Sequence, residues 1–221
     1  MPTTAKDSER IVFFSNLTET VINTYIDGLG KGKGMFLMFI KQEIITPSGL
    51  VARPAMTSYY KSSHFKKISS SYTSPYETIM CLDSKQSMYC QLLCSLIRGD
   101  EVVYIGIAFA SVFFRAIKFL EEHWQEMCYS IRTRNVSDWI TDKSCQSAVM
   151  NIIRGPNSKL ANLIELLFHV KSWKGVIKRL WPGAKYVYAI LTGSMAQYIS
   201  TVDFYYSGLP LVLTGYASSE C

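Results

Sequence analysis

The run from Val102 to Phe114 (Val-Val-Tyr-Ile-Gly-Ile-Ala-Phe-Ala-Ser-Val-Phe-Phe) constrains the fold more than any other stretch. It is nearly all apolar, too short to cross a bilayer, and broken by glycine, alanine and serine. Val102 to Ala110 therefore reads as a core strand. Ser111 is placed to cap a following helix, in which Phe114, Ile117, Leu120/Glu121 and Trp124 recur at helical spacing. His123, near the end of that helix, reads as a surface or C-terminal charge partner rather than a base.

The same alternation runs along the chain. Ile11, Phe14, Leu17, Val21, Ile22 and Tyr25 give a helical pattern over Lys6 to Ile26, which the glycine-rich Asp27 to Gly34 ends. Those glycines are not a phosphate loop: they lack a Gly-Lys-Ser/Thr ending and lead into a strand, Met35 to Ile40, rather than out of one. Gln42 to Ser74 is turn-rich and reads as a surface segment or strand hairpin, or functionally as a substrate-contacting face. Glu77 to Leu82 reads as a strand and Lys85 to Ile97 as a helix whose methionine and cysteine stripe is core packing. A short helical segment is expected at Ser137 to Asp142. Further helices are expected at Ser144 to Ile153, Asn157 to Phe168 and Trp173 to Trp181. Lys185 to Leu191 is a buried strand, and a last short buried strand follows Gly208-Leu209-Pro210. The fold class that follows is α/β, a mainly parallel sheet flanked by helices.

Composition narrows the function. The net charge is +6, but the basic residues are scattered and carry no glycine/aromatic RNA signature, so no nucleic-acid partner is expected. The balance suits a protein that handles anionic substrates. No secretory signal is visible in the polar first ten residues, and no segment is long enough for a membrane. The six cysteines form no CxxC pair; Cys81, Cys90, Cys94 and Cys128 sit within apolar or helical patterns, as buried thiols of a reducing, cytoplasmic compartment would.

Chemistry concentrates at two strand ends. Thr192-Gly193-Ser194-Met195-Ala196-Gln197-Tyr198 places a glycine between hydroxyls directly after a strand, a turn suited to anions. The last strand empties into Tyr216-Ala217-Ser218-Ser219-Glu220. There the ring offers a face to a flat ligand, alanine lets it approach the backbone, hydroxyls can bind phosphate, and the carboxylate is a hard ligand for Mg²⁺.

These two motifs have specific flanks. They include Thr46-Pro47-Ser48-Gly49-Leu50, Ala52-Arg53-Pro54, Thr57-Ser58-Tyr59-Tyr60-Lys61-Ser62 and Ser84-Lys85-Gln86-Ser87-Met88-Tyr89. Phe109-Ala110-Ser111, Arg115 to Glu121, Asp138-Trp139-Ile140-Thr141-Asp142 and Arg179-Leu180-Trp181-Pro182 continue the pattern. Over essentially its whole length the chain resembles the plant auxin-responsive acyl acid amido synthetases, of the indole-3-acetic acid and jasmonate type, in the adenylate-forming superfamily. The resemblance implies a firefly-luciferase-like N-terminal domain, of which residues 1–221 are an incomplete part. The family's first phosphate loop is expected upstream of Met1 and its mobile C-terminal domain downstream of Cys221. It implies that ATP and Mg²⁺ activate a plant-hormone carboxylate as an acyl-adenylate, which an amino acid attacks to give an amide. Catalysis of that kind rests on positioning and on neutralising phosphate charge.

Carried over by residue, the resemblance gives Thr192, Gly193, Ser194 and Met195 to one nucleotide motif. Tyr216, Ala217, Ser218, Ser219 and Glu220 fall to another, with Glu220 catalytic and facing Mg²⁺. The implied acyl pocket draws on Ile11, Ser15, Thr18, Val21, Ala108, Gly215 and Ala217. Auxin-selective members carry a second arginine where this chain has Ile11 after Arg10, so the hormone carboxylate is left to Arg10. Ser15 replaces an aromatic and Gly215 a methionine, so the pocket is roomier and less charged. Three readings stand beside one another: an internal piece of such a synthetase acting on an auxin, jasmonate or benzoate type acid, a non-catalytic remnant that binds nucleotide or acyl ligand, and a basic α/β interaction domain. Alone, the 221 residues are expected to be inactive.

Overall fold

The computed structural model describes residues 5–30, 32–170, 172–190 and 193–212; for residues 5–8, 11, 107, 108 and 193–195 it describes the backbone alone. The chain opens with helix α1 (Ala5–Tyr25) and enters strand β1 (Lys33–Leu37). A small antiparallel hairpin follows, β2 (Ile44–Ile45) and β3 (Val51–Ala52), then the short helices α2 (Ala55–Tyr60), α3 (Ser63–Ile68) and α4 (Tyr76–Ile79). Helix α5 (Ser84–Ile97) leads to β4 (Val102–Phe109), which passes into the long α6 (Ala110–Thr133). Helices α7 (Lys143–Ile153), α8 (Ser158–Phe168) and α9 (Val176–Leu180) precede β5 (Tyr186–Ile190). A 3₁₀ turn at Gly193–Tyr198, α10 (Ile199–Tyr206) and β6 (Leu211–Val212) complete the described chain.

The four longer-range strands form one sheet in the order β1-β4-β5-β6, and every neighbouring pair is parallel. Each successive strand is added on the same side of the one before. Right-handed crossovers that always step in one direction lay their helices on one face. The packing agrees. Met35, Leu37, Ile105, Val187 and Ala189 point into a core built with Leu92, Leu93, Phe113, Leu120, Ile164, Ile177 and Trp181 from α5, α6, α8, α9 and the turn after α9. Two polar side chains tie that core together. The indole N–H of Trp181 donates to the Ser95 carbonyl at 3.0 Å, and the buried Gln91 amide bonds both the N–H and the C=O of Met38, at 3.1 and 2.6 Å. A smaller cluster, Met38, Ile40, Tyr60, Phe65 and Ile79, packs beside β1.

Several expectations need correction. Glu77 to Leu82 is not a strand: Pro75 starts a single helical turn, α4, and Met80 closes it with a bond back to Tyr76. The short helix expected at Ser137 to Asp142 is a turn. Glu126 of α6 accepts hydrogen bonds from the Ser137 hydroxyl and the Trp139 indole, so these side chains bind a neighbouring helix instead of starting their own. Asp142 begins α7 as its N-cap, accepting from the Cys145 N–H at 3.0 Å. Ser111 is not a cap, because α6 starts at Ala110 behind Phe109, with no side-chain cap bond. His123 lies well inside α6, half-buried, its ring 4.2 Å from that of Phe119 and its Nδ1 3.1 Å from the Glu126 carboxylate. The region Gln42 to Ser74 holds both the hairpin and two helices. The last strand is not buried: Leu211 is 36% exposed, and Leu209 is the buried member of that segment. Among the described residues, no helix is long and apolar enough to cross a membrane.

Candidate functional site

The second face of the sheet differs in kind from the helix-covered one. Alternation along the strands sends Phe36, Tyr104, Tyr186 and Tyr188 to this side. The register sets each large ring beside a glycine or another ring. Gly34 pairs with Tyr104, and Gly106 stands between Phe36 and Tyr188. A Cβ on Gly34 would collide with the Tyr104 ring, and one on Gly106 with the Phe36 ring, so both positions are glycine because rings lie across them. Tyr104 and Tyr186 stack at 5.1 Å and 7°, and Phe36 sits 5.9 Å from Tyr188 and 6.3 Å from Tyr72. The result is a floor of rings tipped with hydroxyls.

Helix α1 brings Ser15 and Glu19, one turn apart, into the neighbourhood of these phenols: Ser15 offsets part of the rise that burial gives Tyr59, and the Glu19 charge adds to the rise at Tyr72, Tyr104 and Tyr186. Burial pushes the phenols of Tyr72 and Tyr186 up to about 12, chiefly by desolvation, with neighbouring tyrosines and Glu19 adding to it. Tyr104 is driven well above its ordinary value by the same cause. The rings therefore meet a ligand as neutral hydroxyls, able to donate to a carboxylate or accept from an amine.

The expected pocket residues divide. Ser15, Thr18 and Val21 follow one another at helical spacing on α1; Ser15 is exposed but engaged with Tyr59, Thr18 is half-buried, and Val21 is 48% exposed. Arg10 is exposed on the same helix. Ile11 and Ala108 are placed by backbone alone, Ala108 beside the irregularity where β4 passes from Ile107 to Phe109. Gly193, Ser194 and Met195 open the 3₁₀ turn at the carboxyl end of β5. Thr192, Gly215, Tyr216, Ala217, Ser218, Ser219 and Glu220 lie outside the described residues. The segment carrying the last six follows β6, which pairs in parallel with β5 through Val187↔Leu211 and Tyr188↔Val212. In sequence, the two expected nucleotide motifs come after adjacent parallel strands, β5 and β6, and open α/β sheets bind ligands at the carboxyl ends of their strands. A glycine-led turn flanked by hydroxyls at this edge fits a phosphate-bearing ligand.

Sequence reasoning missed Glu19, Tyr59, Tyr72, Tyr104 and Tyr186. The signal was the Tyr186-Val187-Tyr188 alternation and the aromatic/hydroxyl interleaving of Thr57 to Ser62, both legible only once the strands are paired.

Residues 1–211 match the family profile described as "GH3 family N-terminal domain". Over its whole length the chain is 57% identical to the indole-3-acetic acid-amido synthetase GH3.17 of Arabidopsis thaliana, spanning 37% of that protein. It is 46% identical to the 4-substituted benzoates-glutamate ligase GH3.12 of the same plant, spanning 39% of it. A solved GH3.15 acyl acid amido synthetase superposes on the whole chain with a TM-score of 0.93 at 45% identity, over 39% of its own length. The AtGH3.15 acyl acid amido synthetase in complex with 2,4-DB superposes with a TM-score of 0.89.

Proposed function

This chain belongs to the GH3 family, and from that premise we propose that it forms part of the acid-activating domain of an acyl acid amido synthetase. The reaction assigned is ATP-dependent adenylation of a carboxylic acid of auxin, jasmonate or benzoate type, followed by amide formation with an amino acid. The observation that carries this reading is the adjacency of β5 and β6, which sets Gly193-Ser194-Met195 and the Tyr216 to Glu220 segment after neighbouring strands. Names of the relatives support the reaction class: one is a synthetase of indole-3-acetic acid amides, another a ligase of benzoates and glutamate.

In this reading each part of the chain has a task. Thr192, Gly193 and Ser194 hold phosphate through backbone N–H groups and hydroxyls, and Tyr216 and Ala217 seat the adenine. Glu220 would hold Mg²⁺, which when bound supplies positive charge to the phosphates. The acid's carboxylate turns toward that edge, while its ring or chain lies between α1 and the tyrosine floor. Ile11, Ser15, Thr18 and Val21 bound that space on one side, with Ala108 and Gly215 at the strand ends. Exclusion of water by the rings protects the activated acyl carbon until the amine attacks. Arg10 is the remaining guanidinium on α1 for the hormone carboxylate. The chain spans 37% to 39% of its relatives, so activity is assigned to the longer protein and not to these residues by themselves.

Titration of ATP·Mg²⁺ against the protein and its Glu220→Gln variant tests the nucleotide half of the reading. Binding that weakens in the variant supports it. Equal, undetectable binding in both favours a basic interaction domain instead.

A further inference from the structure

Away from the sheet edge, a thiol cluster lies between α4, α5 and α7. Cys81 follows α4 and Cys145 lies in the first turn of α7, 64 positions later; both are buried, at 3% and 0% exposure. The Cys81 and Cys145 sulfurs and an Asp142 carboxylate oxygen all lie within 4.8 Å of one another. Cys90, a buried thiol of α5, lies close enough to Cys145 to help raise that thiol's pKa, without joining the three-ligand group itself. The thiols' other partners are weak: Cys81 donates to the Asp83 carbonyl at 3.4 Å and Cys145 to the Glu77 carbonyl at 3.9 Å.

The carboxylate is held in place from behind. Gln86 of α5 accepts from the backbone N–H groups of both Thr141 and Asp142, at 2.8 and 3.0 Å. Its amide also donates to the Thr141 hydroxyl at 3.1 Å and to Asp83 at 3.1 Å. Asp142 uses Oδ1 to cap α7, which leaves its second oxygen for another partner. Fixing the loop that carries a ligand is what outer-shell hydrogen bonds do in metal sites. An open hollow lined by Glu77, Lys143, Ser144 and Ser147 lies along the outer side of α4 and α7.

We propose that Cys81, Cys145 and Asp142 form a three-ligand binding site for a thiophilic divalent cation of the Zn²⁺ class, with water as the fourth donor. A tetrahedral ion with Zn–S bonds of about 2.3 Å holds its donors roughly 3.5–4 Å apart, so the three ligands need to close by about 1 Å at most. As each metal–sulfur bond forms, the thiol proton passes to solvent and no electron moves. Sulfur donors select against Mg²⁺, which separates this site from the one assigned to Glu220. The bound ion would staple α4 to α7 behind the sheet.

Cobalt(II) added to the purified protein tests it, because thiolate ligation gives an intense sulfur-to-cobalt charge-transfer band. The expected result is one cobalt per chain, displaced by one equivalent of Zn²⁺. Cys81→Ser and Cys145→Ser should lose the band, and Cys128→Ser, a buried thiol outside the cluster, should keep it. Asp142→Asn preserves the helix cap, since asparagine caps as well as aspartate, and should weaken cobalt binding roughly tenfold or more. Near-UV circular dichroism confirms that each variant is folded. No band in the folded wild type, a band that survives in Cys81→Ser and Cys145→Ser, or full affinity in Asp142→Asn would each overturn the site.

Discussion

The two faces of one sheet have been given opposite tasks. On the helix side, Met35, Ile105 and Val187 meet aliphatic and sulfur-bearing side chains that are almost wholly excluded from water. On the other side, the same three strands present Phe36, Tyr104, Tyr186 and Tyr188, rings that pack yet keep a hydroxyl at nearly every tip. The first face exists because crossovers in a single direction put the helices between the strands, α5, α6, α8 and α9, there. The second is left to α1 and a few loops. On the proposed function, stability is concentrated on one side and ligand binding on the other, and substitutions should separate the two.

The largest effect is expected on the helix side. Trp181→Ala removes a fully buried ring and orphans the Ser95 carbonyl, and should cost about 3–5 kcal/mol in chemical denaturation. A loss below about 1 kcal/mol would mean that this face is not the scaffold.

Alkaline pH probes the tyrosine side. Tyr72 and Tyr186 have folded pKa values raised to about 12, while the unfolded chain ionises near 10. Their contribution to stability is fully present below about pH 10 and is lost as pH rises from there toward 12, because only the unfolded chain releases its protons in that window. By one unit above the ordinary tyrosine pKa the loss should be on the order of 2–3 kcal/mol. Denaturation curves across that range, with Tyr72→Phe/Tyr186→Phe as the comparison, check the sign; the double variant should lose less stability than the wild type, with Tyr104 and the other buried phenols carrying the remainder.

Gly106→Ala should cost less, about 1–2 kcal/mol, because the added methyl meets the Phe36 ring, which can partly move aside. Thermal melting reads the cost, and the ring floor should lose ligand affinity along with it. The smallest change is expected at Lys118→Ala on the solvent side of α6. Lys118 is exposed and its pairing with Glu121 is screened by solvent, so the melting temperature should scarcely move.

Much of the scaffold was legible in the chain. The Val102 to Phe109 strand, α5, α7, α8 and the strand at Tyr186 announce themselves by unbroken apolar runs or helical spacing, and four of the buried cysteines by their apolar settings. Errors arose where distant side chains decide local structure. Ser137 and Trp139 look like the start of a helix until Glu126, eleven residues earlier than Ser137, takes their hydrogen bonds. Glu77 to Leu82 looks like a strand until Pro75 starts α4, a single turn that ends at Ile79. Near the expected site, α1 and the turn after β5 could be read directly as elements. The tyrosine floor could not, since Tyr72, Tyr104 and Tyr186 meet only through sheet register. The thiol cluster is equally invisible, since Cys81 lies 61 and 64 positions before Asp142 and Cys145, and an Asp/Cys pair three apart does not by itself flag a site.

One measurement bears most directly on the claim that the tyrosine side is the acid-binding side of an amido synthetase. These 221 residues would replace the matching segment of the Arabidopsis indole-3-acetic acid-amido synthetase, and acid-dependent ATP–pyrophosphate exchange would be followed for indole-3-acetate, jasmonate and benzoate. The account predicts exchange with at least one of these acids, and a large rise in its KM on Thr18→Trp, which fills the α1 side of the pocket without lowering the melting temperature. Exchange that Thr18→Trp leaves unchanged, or a folded hybrid that exchanges with none of the three, would contradict it.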